Sequence, residues 1–177
     1  MEREELRLTG SGGQGVILAT IILADIALQS GKNVAQSQAY GPEARGGLCK
    51  AEVVISSTKI GFTKVMNPTL LLALTQESLD KFSKTIDENC LLVVDSSLRV
   101  PSDINYKKLY QYPILETAKE KVGKAFTANI VAVGLINDIL SLASHDIVKE
   151  TVSRYIPKGT EEINFKALDE GFKLFKK

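Results

Sequence analysis

Thr9-Gly10-Ser11-Gly12-Gly13-Gln14-Gly15 is the stretch whose reading decides the fold. A short run with alternating apolar residues, Leu6-Arg7-Leu8, precedes it, and a long apolar run, Val16 to Leu28, follows. That order predicts strand, glycine turn, helix. The glycines let the chain reverse sharply and bring bare backbone close to another group. The start of the following helix presents unpaired N–H groups and the positive end of its dipole, which suit a phosphate, a carboxylate or a partner's backbone. Over residues 15–30, Ile17, Ile21, Ala24 and Leu28 fall at helical spacing, and Gly31 stands where a C-cap glycine belongs.

Working outward, Asn33 to Gln38 is a polar second strand, and residues 40–47, Tyr-Gly-Pro-Glu-Ala-Arg-Gly-Gly, form a second glycine-rich loop. Cys49 to Ser56 alternates as a strand does, with Ile60 to Phe62 as a short extension or hairpin partner. Leu70 to Thr75 and Cys90 to Asp95 are near-continuous apolar runs, as in strands buried on both faces. A helix over 76–87 separates them. After a loop at 96–103, Leu109 to Leu115 reads as a strand whose Pro113 places it at an edge or a strand start. Thr117 is the expected cap of a helix at 118–121, and Ser144 of one near 145–155. Residues 128–142 and 161–176 complete the helices. The expectation is a single α/β domain over residues 1–177. It is Rossmann-like, with a mostly parallel sheet, helices on both faces and an antiparallel element near 48–62.

The 177 residues suffice for one sizeable core, and a formal net charge of +1 gives no basic field for nucleic acid. Met1 to Glu5 is acidic and lacks the positive region of a signal peptide. Val16 to Leu28 is too short to span a bilayer and carries Asp25. These features predict a cytoplasmic protein with no membrane contact. Cys49 and Cys90 are the only cysteines and His145 the only histidine, too few for an iron–sulfur cluster, an all-cysteine zinc site or a His-rich metal site. No metal is expected, and the two cysteines read as core thiols.

Gly10-x-Gly12-x-x-Gly15 matches the dinucleotide fingerprint literally. That motif also needs an acidic residue about 20 positions on to hold the ribose. Asn33 to Gln38 carries none, and Asp25 lies in mid-helix. NAD is thereby weakened, while NADP stays open through Arg45 against a 2′-phosphate. A Walker loop fails, because Val16-Ile17 follows Gly15 where Lys-Ser/Thr is required. A third reading has the glycines serving helix–strand packing alone. Gln14 counts against it, since a polar side chain there can face out of the turn.

If the first two strands are adjacent, both glycine loops emerge on the carboxyl edge of the sheet, where open α/β folds bind ligands. There Arg45 offers a five-donor fork for phosphate or carboxylate. Gly46-Gly47 lets backbone approach, Tyr40 adds a stacking face, and Glu43 pairs with Arg45 or with a partner's base. The plainer readings are a local Glu43–Arg45 pair and a packed Tyr40. Asn129 is a buried amide that ties helix to loop. The candidate ligand-binding residues are therefore Gly10, Ser11, Gly12, Gly13, Gln14, Gly15, Tyr40, Glu43, Arg45, Gly46, Gly47 and Asn129. Asp95 ends a buried strand and is more often a turn cap than an acid. No catalytic residue is assigned: a ligand edge without an acid–base or nucleophile set looks like part of an enzyme.

Gly10-Ser-Gly-Gly-Gln-Gly15 with Tyr40-Gly-Pro-Glu-Ala-Arg-Gly-Gly47 resembles the gamma subunit of the 2-oxoacid:ferredoxin oxidoreductases, the family acting on 2-oxoglutarate, pyruvate and ketoisovalerate. Further matches are Cys49 to Ser56, Leu72 to Glu77, Leu92 to Ser97, Ala128 to Gly134 and Asn164 to Gly171, in the family's order and over nearly the whole chain. Pro68-Thr69 departs from it, where the family usually has an aspartate before the apolar strand. The resemblance implies a complex that oxidatively decarboxylates a 2-oxoacid, passes the acyl group to coenzyme A and reduces ferredoxin. It implies thiamine diphosphate between alpha and beta subunits, with iron–sulfur clusters on beta and on a ferredoxin-like delta subunit. For the gamma chain the resemblance implies that it holds none of these cofactors alone, helps bind coenzyme A and is inactive in isolation. The smaller subunit of indolepyruvate:ferredoxin oxidoreductases is similar too. The alternative is a free-standing NAD(P)-binding Rossmann-like oxidoreductase domain. An exposed apolar edge leaves a homodimer of the isolated chain open.

Overall fold

The structure, a computed structural model, describes residues 3–39 and 47–175. Its strands are β1 (Arg3–Ser11), β2 (Asn33–Ala39), β3 (Leu48–Ser56), β4 (Leu70–Ala73), β5 (Leu91–Asp95) and β6 (Lys108–Tyr112). Its helices are α1 (Val16–Gln29), α2 (Gln76–Phe82), α3 (Ile114–Glu116), α4 (Ala128–Leu140), α5 (His145–Ser153) and α6 (Glu161–Phe175). α3 runs on into a π-helical segment, Thr117–Val122.

The strands form one sheet in the order β2-β3-β1-β4-β5-β6. β1, β4, β5 and β6 are mutually parallel, and β3 runs antiparallel to both of its neighbours, β1 and β2. Period-two alternation divides the core. Leu6, Leu8, Val53, Ile55, Leu70, Leu72 and Val93 point to one face and pack with α1, α4, α5 and α6. Leu71, Ala73, Leu92 and Val94 point to the other and pack with Leu79 of α2. The unbroken apolar runs of β4 and β5 follow from this burial on both sides.

Beyond β4 the second face carries a buried ion pair. Arg7 of β1 lies opposite Glu52 of β3 in the ladder, both almost fully buried. Its Nε donates to Glu52 Oε1 at 2.6 Å, Nη1 to Thr85 Oγ1 at 2.7 Å and Nη2 to the Val65 carbonyl at 3.1 Å. Lys50 Nζ adds a second cation 3.1 Å from the same carboxylate. A buried ion pair with its donors occupied avoids most of the desolvation penalty that an orphaned charge would carry.

Several local expectations change. The first two strands are not adjacent, because β3 stands between them, and the antiparallel element is this interior strand. Residues 60–62 form no strand. The late strand stops at Tyr112, and Pro113 becomes the N-cap of α3. A proline lacks the N–H that a ladder needs and is tolerated at a helix start. Thr117 consequently sits inside a helix, its buried Oγ1 without a partner among the described residues. Ser144 occupies the N-cap of α5 but makes no side-chain cap bond, whereas Thr75 and Ser78 close a reciprocal capping box on α2. The expected 76–87 helix shortens to α2 and a 3-10 turn, Ser83–Thr85.

α4 and α6 cross with almost no separation. A Cβ on Gly134 would lie 2.6 Å from the Leu168 carbonyl oxygen, and one on Gly171 2.3 Å from that of Val131.

Candidate functional site: the carboxyl edge of the sheet

α1 leaves β1 toward β2 on one face, while α2 leaves β4 toward β5 on the other. The carboxyl ends of β1 and β4 therefore flank a topological switch point, the crevice where open α/β sheets take ligands. The two ends are tied together: Leu74 N–H donates to the Thr9 carbonyl at 3.1 Å, and Thr9 Oγ1 to that of Leu72 at 2.7 Å.

The turn after β1 closes on itself. Gln14 N–H donates to the Ser11 carbonyl at 3.2 Å, and Gln14 Oε1 accepts the Ser11 N–H at 2.8 Å. Gln14 thus folds back over Gly10, where a Cβ would come 2.4 Å from Oε1, instead of facing out of the turn as the sequence suggested. Gly13 and Gly15 have φ of 94° and 71°, the left-handed region that only glycine enters freely. Gly15 is the N-cap of α1 and no side chain caps that end. The N–H groups of Gly13, Val16 and Ile17 take no partner among the described residues.

Gly12 N–H donates to the Gly47 carbonyl at 2.9 Å, so the end of the second glycine loop meets the first. Strand pairing brings them together: β2 shares the direction of β1 and β3 opposes both, so β2 ends and β3 begins at the edge where β1 ends. Tyr40, Glu43, Arg45 and Gly46 lie outside the described residues. Asn129, 6% exposed at the start of α4, packs beneath the first loop. A Cβ on Gly15 would sit 2.6 Å from its Nδ2, which donates to the Gly15 carbonyl at 3.4 Å. Beside Asn129 opens an apolar pocket of about 280 Å³, lined by Leu18, Phe126, Ile130, Tyr155 and Ile156.

The remaining polar candidates are engaged elsewhere. Asp95 accepts from Ser97 N–H at 3.0 Å and Ser97 Oγ at 2.6 Å, and through Oδ2 from Leu115 N–H at 2.8 Å. One oxygen holds the loop after β5 and the other the start of α3, so Asp95 is a cap. Asp25 turns to α5 and the residues after it, accepting from Tyr155 OH at 3.1 Å with Arg154 Nη1 3.5 Å away. Burial, and then that carboxylate, push the Tyr155 hydroxyl above its ordinary pKa. Cys49 stands opposite Gly10 in the β1–β3 ladder, its thiol raised by burial. Burial pushes Cys90 up to about 12. Neither is a ready thiolate. His145 is stacked on Phe172 at 3.6 Å with Nε2 2.8 Å from Asp138 Oδ1, at the end of α4 away from the glycine turn. Among the described residues no group of three or more His, Cys, Asp or Glu could hold a metal ion, and no helix is long and apolar enough to cross a membrane.

A dinucleotide site places its ribose-binding acid at the end of the strand beside β1. Here that neighbour is the antiparallel β3, and β2, one strand further out, carries no carboxylate. The edge instead presents backbone donors at a helix start, and among the described residues no acid, base or nucleophile stands beside them. That defines an α/β fold with backbone donors gathered at its switch point.

The chain belongs to the pyruvate ferredoxin/flavodoxin oxidoreductase family, which matches residues 5–174. It is 39% identical to the 2-oxoglutarate synthase subunit KorC of Methanocaldococcus jannaschii over 180 aligned residues, covering 98% of this chain and 95% of that one. The crystal structure of a keto/oxoacid ferredoxin oxidoreductase gamma subunit from Geobacter sulfurreducens superposes with a TM-score of 0.87 at 39% identity, covering 99% of this chain and 98% of that one. A 2-oxoglutarate:ferredoxin oxidoreductase from Magnetococcus marinus, solved with 2-oxoglutarate, coenzyme A and succinyl-CoA bound, has the same fold within a longer chain. The TM-score is 0.85 at 21% identity, over 99% of this chain and 31% of that one.

Proposed function

We propose that this chain, folded as one domain, is the gamma-type subunit of a cytoplasmic 2-oxoacid:ferredoxin oxidoreductase. It works in complex with alpha, beta and ferredoxin-like delta subunits. The observation that carries this reading is the contact of the two glycine stretches, Gly12 to Gly47, at a switch point whose N–H donors have no partner among the described residues. Two free thiols accord with a reducing compartment. The likeness to a 2-oxoglutarate synthase subunit favours 2-oxoglutarate as the oxoacid, with its selection left to the partner chains.

The residues present suit an anionic co-substrate and not a metallocluster. Cys49 and Cys90 belong to the packing of opposite faces of the sheet, so they cannot share a cluster. The N–H groups of Gly13, Val16 and Ile17 at the positive end of the α1 dipole suit a phosphate, and Arg45 would supply the charge. In this role the chain binds and orients the phosphate end of coenzyme A and shields the junction from water. Thiamine diphosphate on the partner chains supplies the decarboxylation chemistry.

Co-expression with the neighbouring subunit genes tests the assembly: this chain should copurify with thiamine- and cluster-containing partners. Turnover by the isolated chain would refute the reading. In the assembled enzyme, Arg45→Ala should raise KM for coenzyme A about tenfold or more with kcat little changed. Unchanged affinity and unchanged assembly would remove Arg45 from the site.

A further inference from the structure

α1 is apolar well beyond its sheet-facing side, with a single charge, Asp25, along its length. At 100° per residue its sides can be assigned. Val16, Ala19, Leu23 and Ala27 lie toward the sheet, Ile22 and Ile26 toward α4, and Asp25 reaches Tyr155 beyond α5. α1 rests over β2 and β3, with α4 and α5 on the side away from β2. The flank left over carries Ile17, Ile21 and Leu28 and looks across the β2 edge. None of the three is buried, and Leu28 is 53% exposed.

Among the described residues β2 ends the sheet and pairs with β3 alone. Its sequence, Asn-Val-Ala-Gln-Ser-Gln-Ala, contains no charge and no proline, the usual devices that blunt an open edge. A neutral strand edge and an apolar helix flank thus lie side by side.

We propose that this surface takes a second copy of the chain, the two β2 strands pairing antiparallel about Gln36 and the α1 flanks meeting above the join. The geometry is self-complementary. By its register with Val53, Gln36 lies on the α1 face, with Val34 and Gln38 to either side. The two-fold sets Gln36 against its own copy, and an amide is both donor and acceptor, so it satisfies itself. Val34 then faces Gln38, and Ala35 faces Ser37 on the other side of the sheet, with no like charges opposed. Heights agree too. Gln36 stands about 10 Å along β2 from Asn33, and Ile21 about 10 Å along α1 from Leu28. Ile21 therefore meets its own copy near the axis, and Leu28 approaches Ile17 of the other. The contact is isologous and closes, removing the open edge. Two elements a side make it smaller than a standard interface, so dimerisation is expected at micromolar concentrations. The proposal does not rest on the family reading.

Sedimentation equilibrium of the isolated full chain from about 1 to 300 µM tests it. The expected result is a monomer–dimer equilibrium that Gln36→Lys weakens at least about tenfold through like-charge contact. Gln36→Glu should weaken it likewise, and an equimolar mixture of the two variants should dimerise again. Leu28→Glu, at an exposed position that the fold tolerates, should also weaken it, with circular dichroism reporting that each variant is folded. A wild type that stays monomeric throughout, a folded Gln36→Lys or Leu28→Glu that dimerises as well as the wild type, or a mixture no better than its parts would each overturn the proposal.

Discussion

The turn at residues 10–15 and the crossing of α4 on α6 both depend on glycine, and for different reasons. At the turn, Gly13 and Gly15 supply positive φ, and the one obstruction at Gly15 is a side chain, Asn129. At the crossing, Gly134 and Gly171 are ordinary helical residues whose missing Cβ atoms let two backbones touch. The first kind leaves amide hydrogens without a partner among the described residues, and the second consumes all its space in packing. A side chain can turn aside, whereas a carbonyl inside a helix moves only with the helix.

That contrast is most easily broken at Gly171. Gly171→Ala should cost about 3 kcal/mol, since its methyl meets the Val131 carbonyl. At an open helical site the same change gains roughly 1 kcal/mol. Urea denaturation reads the sign directly, and a stabilised variant would mean that the helices separate at no cost. Gly15→Ala comes next, at about 2 kcal/mol, part dihedral strain and part collision with Asn129. In an Asn129→Ala background only the dihedral part should remain, so a double-mutant cycle separates the two kinds of glycine. Gly13→Ala meets nothing within 4 Å and should cost about 1 kcal/mol from φ alone.

The thiols have the smallest effect near neutrality. Cys90 is raised from 9.0 to about 12 in the folded chain, chiefly by burial. Below pH 9 both states hold the proton and stability is unaffected. Above it the unfolded thiol ionises and the folded one does not, so stability falls at up to about 1.4 kcal/mol per pH unit until pH 12. Cys90→Ala should remove that component of the alkaline slope in pH-dependent denaturation. With a thiol-reactive dye at pH 8, half-buried Cys49 should react before Cys90.

The glycine turn was legible because its requirement is local: closely spaced glycines ahead of a long apolar run admit few other conformations. β4 and β5 were legible because burial on both faces leaves unbroken apolar runs. The placement of β3 was not, since ladder pairing joins Gly10 to Cys49 and Arg7 to Glu52 across a long stretch of chain. The inward fold of Gln14 was hidden, because a polar residue in a turn can serve the loop or the solvent equally. Asn129 was marked as a buried amide in need of partners. Its contact with Gly15, 114 residues away, depends on how α4 docks against α1.

By itself, the sequence determined the kinds of element and the switch from period two to helical spacing after Gly15. Those depend on residue type and near neighbours. Only the tertiary structure decided that the pairing of β3 with β1, and not adjacency of the first two strands, brings Gly12 to Gly47. It alone also left an uncharged strand edge beside an apolar helix flank. Both follow from which strand pairs with which, a competition among distant segments that no local pattern encodes.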